Sequence, residues 1–115
     1  MPSSIGKNNR NVFLFFRDST TSMLCIPANK INLVVNEGNT DVAIYYEGDD
    51  GAAGSLNLLT TSTEEHNVIL AIAEIMVNGR GVVTVADDVD GIYCSSSLSQ
   101  TNAVTAFTIV LNINL

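Results

Sequence analysis

Positive charge is scarce in this chain of 115 residues, which contains 5 Lys or Arg residues against 12 Asp or Glu and has a net charge of −7. Four of the five bases lie within the first thirty positions, and Arg80 is the single base of the remaining segment. Affinity for nucleic acid or for an anionic membrane surface depends on clustered Lys and Arg side chains. The sequence therefore predicts neither a nucleic-acid partner nor a membrane partner.

Charge of either sign is also sparse, since 15% of the residues are charged where about 25% is usual, and residues 92–115 carry no charge. Ser, Gln and Asn side chains interrupt that uncharged segment, so it lacks the ~20 consecutive apolar residues of a membrane-spanning helix. The apolar run Val12–Phe16 is closed by Arg17 and Asp18 and is too short for the core of a signal peptide. These absences predict a cytoplasmic protein without an export signal.

Residues that carry common catalytic chemistry are few. The two cysteines, Cys25 and Cys94, lack the C-x-x-C spacing of a zinc site and are interpreted as reduced thiols within strands, with a disulfide as the alternative. His66, the single histidine, lies beside two glutamates at a predicted helix start, where a solvated side chain is expected and a general base is the alternative. The P-loop, dinucleotide-binding and nucleophile-elbow motifs are absent. The sequence thus assigns no catalytic residue and no cofactor, and it favours a protein that is not an enzyme.

The hydrophobic fraction of 46% is high enough for a folded core, and the length corresponds to one domain. We expect a polar, turn-rich tail at residues 1–11 and a single domain at 12–115. The run Val12–Phe16 is interpreted as a core strand, with a hydrophobic docking arm as the alternative. Apolar segments with alternating polarity, separated by Gly, Asn and Pro, predict seven or eight short strands, at 12–16, 23–26, 31–36, 42–46, 56–61, 81–86, 92–94 and 106–115.

One helix is predicted at 63–78. Ser62 is positioned as its N-cap with Glu65 at the capping-box position, and Gly79 is expected to end the helix in a left-handed conformation. One helix among so many strands indicates an α+β fold, with a mainly antiparallel β-sheet and the helix packed on one face. The strand–helix–strand order over 56–86 also suggests a right-handed parallel crossover within that sheet.

Asp87, Asp88 and Asp90 are the candidate metal ligands, because calcium needs several oxygen atoms that converge on one point. Their spacing departs from the EF-hand loop, since Ala86 takes the first ligand position and Ser97 takes the position of the bidentate glutamate. A solvated turn is therefore the main interpretation, and a divalent-cation site is the alternative. A second acidic loop offers further carboxylates if the two loops meet in space: Glu47, Asp49 and Asp50.

Two segments have too little polar surface for an isolated chain. On the predicted helix, Leu70, Ala73 and Val77 lie opposite the expected core face. The uncharged last strand is apolar along one side, and at an exposed sheet edge such a strand pairs with other chains. Its candidate interface residues are Phe107, Ile109, Leu111 and Ile113. Burial of both segments in a symmetric homo-oligomer is the prediction.

A family resemblance adds to these observations. The segments NTDVAIYYEGDD (39–50) and RGVVTVADDVDGIY (80–93), together with the acidic composition rich in Asn, Ser and Thr, resemble small proteins of tailed marine phages, cyanophages among them. The resemblance implies a role in the virion or in its assembly, and hence a virion location instead of a cytoplasmic one. It transfers no functional residue to this chain.

Two functional hypotheses follow from the sequence. The first is a non-enzymatic, self-associating structural or interaction protein. The alternative is a small metal- or ligand-binding enzyme that uses the acidic loops 47–50 and 87–90, with His66 or Asp88 as the base.

Overall fold

A computed structural model describes residues 11–48 and 53–108 of the chain, excluding the side chains of 106–108. Within these ranges it contains one α-helix, eight strands and a short 3-10 helix at Ala28–Lys30. The elements are, in chain order, β1 (Val12–Ser19), β2 (Ser22–Pro27), β3 (Ile31–Asn36), β4 (Asp41–Glu47), β5 (Ala53–Leu59), α1 (Glu65–Asn78), β6 (Gly81–Asp87), β7 (Ile92–Tyr93) and β8 (Val104–Thr108). The predicted α+β class and the predicted number of strands are confirmed.

The strands divide between two four-stranded sheets. Sheet A has the order β2-β1-β6-β7, and sheet B has the order β3-β4-β5-β8. Within sheet A, β1 and β6 are parallel, and every other neighbouring pair in the two sheets is antiparallel. The mainly antiparallel character was predicted, whereas the division into two sheets was not.

The predicted parallel crossover over 56–86 is wrong. Strand β5 lies in sheet B, while β6 lies in sheet A, so α1 connects strands of different sheets. Both edges of β5 are taken, one by β4 and the other by β8, and no place remains for β6 beside it. The parallel neighbour of β6 is instead β1, with Val12 opposite Gly81 at the start of the pairing.

A single hydrophobic core joins both sheets and the helix. The helix contacts β3 and β4 of sheet B and β1 of sheet A, so it packs against both sheets. The alternating pattern of β4 places Val42, Ile44 and Tyr46 in this core. Among the other buried side chains are Leu14, Phe16 and Ile26 of sheet A, Leu56 and Leu58 of sheet B, and Val68 and Ile72 of α1.

The start of α1 differs from the prediction by two residues. The helix begins at Glu65, with Glu64 as a cap residue that makes no side-chain capping bond. Ser62 is not the N-cap, because Thr63 adopts a left-handed conformation with φ of 64°. The N–H of Glu64 donates to the carbonyl of Thr61, so residues 61–64 form a turn that precedes the helix.

The helix ends at Asn78 as predicted, but the role expected of Gly79 is wrong. Its φ is −70°, an ordinary extended value, and its N–H donates to the carbonyl of Ile75. A Cβ atom at this position would lie 2.5 Å from the Ile75 oxygen, so the position favours glycine for space rather than for a left-handed turn. The left-handed glycine occurs two residues later, at Gly81, with φ of 65°.

Across the described ranges, no helix combines the length and the apolar content needed to cross a membrane.

Candidate functional site

The acidic turn 87–91 connects β6 to β7, and its first carboxylate forms an ion pair with β1. Arg17 donates from Nε to Oδ1 of Asp87 and from Nη2 to Oδ2, both at 2.9 Å. The backbone N–H groups of Val89 and Asp90 also donate to Oδ1, at 3.0 and 3.1 Å. These hydrogen bonds, that from Arg17 first, lower the pKa of Asp87. Asp87 is 3% exposed, so the expectation of a solvated turn is wrong at this position.

Asp88 joins the two sheets. Its Oδ1 accepts hydrogen bonds from the Tyr93 hydroxyl at 2.7 Å and from the Ala103 N–H at 2.8 Å, and its Oδ2 accepts one from the Val104 N–H at 3.0 Å. Val104 begins β8, so this carboxylate connects the β6–β7 turn of sheet A to an edge strand of sheet B. Burial, and then the hydrogen bond to Asp88, raises the pKa of Tyr93. Asp88 therefore has a structural role that its position in the sequence does not reveal.

The third predicted ligand, Asp90, is exposed, and its Oδ2 accepts a hydrogen bond from Arg17 at 2.9 Å. Hydrogen-bond donors of the same chain thus already contact all three carboxylates of the turn. In the part of the chain that the structure describes, no group of three or more His, Cys, Asp or Glu side chains is arranged to hold a metal ion. Asp49 and Asp50 of the second acidic loop lie outside the described residues, while Glu47 is exposed at the end of β4. A divalent-cation site stays a prediction.

The remaining candidates for chemistry occupy separate places. Cys25 is an exposed free thiol in β2, and Cys94 is a half-buried free thiol that follows β7. Burial raises the pKa of Cys94 to about 11, which keeps this thiol protonated at neutral pH. His66 is exposed on the first turn of α1, as expected. The hydroxyl of Tyr45 donates to Glu37 at 2.6 Å on the surface of sheet B.

The predicted interface residues of the helix lie at the surface. Leu70 and Val77 are 64% and 66% exposed, and Ala73 between them is also exposed. We call these three residues the α1 stripe. Among the candidates of the last strand, Phe107 lies within β8, at the edge of sheet B, and its side chain is outside the described part of the structure. Ile109, Leu111 and Ile113 lie outside the described residues.

A second apolar surface, which the sequence did not reveal, covers the outer side of sheet A. Paired residues on neighbouring strands point to the same side of a sheet, so the register gives three rows on the side opposite Leu14 and Phe16. We call this surface the outer face of sheet A. Its rows are Pro27, Phe13 and Val82; Cys25, Phe15 and Thr84; and Met23, Arg17, Asp87 and Ile92.

The apolar side chains of this face are accessible to solvent. Val82 is 65% exposed and Ile92 is 51% exposed, while Phe13 and Phe15 are half-buried. The run Val12–Phe16 is therefore a core strand on one side and a surface strand on the other. Because this run is apolar at every position, its sequence does not show which side chains face solvent. The one local signal of the solvent side is the charge of Arg17 in the third row. Side chains two and four positions earlier lie on the same side of a strand, and these are Phe15 and Phe13.

Comparisons with protein-family models, with curated proteins and with solved structures found no match to this chain.

Proposed function

We propose that this protein is a non-enzymatic structural or interaction protein that associates with copies of itself. The outer face of sheet A carries the proposal. It contains two phenylalanines with exposed aliphatic side chains around them, and contiguous apolar surfaces of this kind in folded proteins mark interaction sites. The α1 stripe supports the same interpretation with exposed apolar residues on another element.

The hydrogen bonds of the acidic turn support a non-enzymatic role. A catalytic carboxylate needs a lone pair that is available to substrate, water or metal. Asp87 accepts four hydrogen bonds from its own chain, and Asp88 accepts three. Both residues stabilise the fold. This structural role disfavours the alternative of a metal- or ligand-binding enzyme, because Asp87 and Asp88 were its two most central candidate residues.

A component of a phage particle is the biological setting that we propose. This part of the proposal rests on the resemblance of residues 39–50 and 80–93 to small proteins of tailed marine phages. Self-association suits such a role, because particles are built from repeated copies of a few chains joined by symmetric contacts.

Sedimentation velocity over a series of protein concentrations, from low micromolar to near millimolar, tests self-association. We expect the weight-average mass to rise above that of a single chain as the concentration increases. A mass that stays at the single-chain value throughout the series contradicts the proposal.

A further inference from the structure

We propose that the outer side of sheet B binds neutral carbohydrate, with the ring of Tyr45 as the surface on which a sugar stacks. This activity goes beyond the proposed self-association and uses the other sheet. We call the surface the outer face of sheet B. Its described side chains form four rows by register: Glu47 and Ala53; Leu33, Tyr45 and Ser55; Val35, Ala43, Asn57 and Thr105; and Glu37, Asp41 and Leu59.

The ring of Tyr45 lies along the sheet instead of standing away from it. Its hydroxyl donates to Oε2 of Glu37 at 2.6 Å, and Nδ2 of Asn57 donates to Oε1 of the same carboxylate at 3.4 Å. Asn57 is paired with Ala43, so the carboxylate lies beside the row of Ala43, which is about 7 Å along the strand from the row of Tyr45. To place its hydroxyl there, the tyrosine side chain has to cross the surface above Ala43.

The burial of Ala43 agrees with this geometry. Its neighbours Val42 and Ile44 face the core, so the side chain of Ala43 points to the outer side of the sheet. Ala43 is nevertheless 1% exposed, and it is not a member of the hydrophobic core cluster. The side chains of Tyr45 and Glu37 therefore cover it from outside. Tyr45 itself is 36% exposed, so the ring face that points away from the sheet is open to solvent.

The hydrogen bonds of this surface fix the ring before a ligand arrives. The hydrogen bond to Glu37 is the main cause that raises the pKa of Tyr45, so the hydroxyl stays protonated and donates at neutral pH. Asn57 in turn holds the carboxylate from β5. A side chain that is already held in its bound orientation loses little conformational entropy when a ligand binds. The outer face of sheet B is thus preorganised for stacking.

A sugar matches the chemistry around this ring. One face of a pyranose carries C–H groups, which pack against the electron-rich face of an aromatic ring. The edge of the same sugar carries hydroxyl groups that both donate and accept hydrogen bonds. The groups beside Tyr45 supply both kinds of partner, because the Glu37 carboxylate accepts, while the Asn57 amide and the Ser55 hydroxyl donate and accept.

The charge of the face selects a neutral ligand. Its rows contain three acids, Glu37, Asp41 and Glu47, and no Lys or Arg, and the whole chain has a net charge of −7. Phosphates, sulfated sugars and uronic acids are therefore repelled.

Two other occupants fit less well. An arginine side chain of a basic peptide would stack on Tyr45, but a guanidinium only donates hydrogen bonds, and Glu37 already accepts two while the Asn57 amide also needs an acceptor. Residues 109–115 of this chain follow Thr108, which pairs with Ser55. Five of those seven residues are Ile, Val or Leu, and they match the polar groups of this face poorly.

Backbone amide shifts in NMR spectra of the full chain test the proposal. The probes are neutral oligosaccharides of glucose, mannose, galactose or N-acetylglucosamine at millimolar concentration, and we expect at least one of them to shift the amides of residues 43–45 and 55–57. Tyr45→Ala should weaken that binding about tenfold or more. Leu70→Ala, at an exposed position of α1, is the matched control and should leave the affinity within about twofold of the wild type. Circular dichroism checks that both variants fold.

Glu37→Gln separates a sugar from a cation, with a tetra-arginine peptide as the cationic probe. Glutamine keeps an acceptor oxygen for Tyr45 and loses the charge, so the affinity for a sugar should fall by less than about threefold. The proposal is overturned if no oligosaccharide shifts these amides, which is also the result if residues 109–115 already occupy the face. It is equally wrong if Tyr45→Ala binds as tightly as the wild type, or if the peptide alone binds and Glu37→Gln abolishes its binding. Self-association is measured separately and is unaffected by any of these results.

Discussion

Some changes to the acidic turn leave the ion pair between Arg17 and Asp87 intact. Among these, replacement of Asp88 should destabilise the fold the most. Its carboxylate accepts from the N–H groups of Ala103 and Val104, and both of these residues are fully buried. Leaving one buried donor unpaired costs about 1–3 kcal/mol. Asp88→Ala leaves two such donors and should therefore lower the free energy of unfolding by about 2–6 kcal/mol.

Asp88→Asn refines the same prediction. Its amide retains one acceptor oxygen, and when that oxygen serves Tyr93 and Ala103 the NH₂ group faces the N–H of Val104. One buried donor is lost, so we expect a decrease of about 1–3 kcal/mol. The two variants should therefore rank in the order Ala, Asn, wild type, from least to most stable.

Urea unfolding followed by circular dichroism measures these differences. The slope of the unfolding free energy against urea concentration should be the same for the wild type and the variants. Asp90→Ala is the control, because its exposed carboxylate makes a surface ion pair worth under about 1 kcal/mol. The reasoning is refuted if Asp88→Ala costs no more stability than Asp90→Ala. Such a result would mean that water replaces the carboxylate at β8 without a penalty.

Two further predictions concern the acidic turn. Because the pKa of Asp87 is lowered in the folded state, its contribution to stability is complete above the ordinary pKa near 4 and is lost as the pH falls through the lower folded value. The stability difference between the wild type and Asp87→Asn should therefore narrow below about pH 4, and urea titrations at several pH values would show whether it does. Calcium, magnesium and manganese at millimolar concentration should leave the melting temperature unchanged, because chain donors already contact the carboxylates of the turn. A rise in a thermal-shift assay would instead support the metal-binding alternative.

Local patterns in the sequence were sufficient for β3 and β4 of sheet B. The alternation of apolar residues predicted strands at 31–36 and 42–46, and the structure pairs them as an antiparallel hairpin with Val42, Ile44 and Tyr46 in the core. This information is local in the sequence. The two strands of a hairpin are adjacent in the chain, and successive side chains of a strand point to opposite sides of the sheet.

The arrangement of sheet A depends on contacts between distant parts of the chain. Strand β6 pairs with β1, about seventy residues earlier, and no local pattern in either strand specifies that partner. The helix between β5 and β6 suggested a crossover, but such a helix equally well connects two sheets.

The candidate site was located in the sequence, but its role was not. The cluster of Asp87, Asp88 and Asp90 is evident from composition alone, whereas its partners Arg17 and Val104 are distant along the chain. A carboxylate that accepts buried N–H groups has the same sequence signature as one in a solvated turn. The outer face of sheet A was missed for a related reason, since an entirely apolar strand contains no indication of which side is covered.

The parallel pairing of β1 with β6 has a consequence for synthesis on the ribosome. Until Gly81–Asp87 has emerged, β1 has only β2 beside it in its sheet, and an isolated two-stranded ribbon is marginally stable in water. During this interval Leu14 and Phe16 have no completed core, and Phe13 and Phe15 on the other side of the strand are also uncovered. Strand β1 thus waits for a partner about seventy residues further along the chain, and the nascent chain carries an uncovered aromatic segment until β6 has emerged.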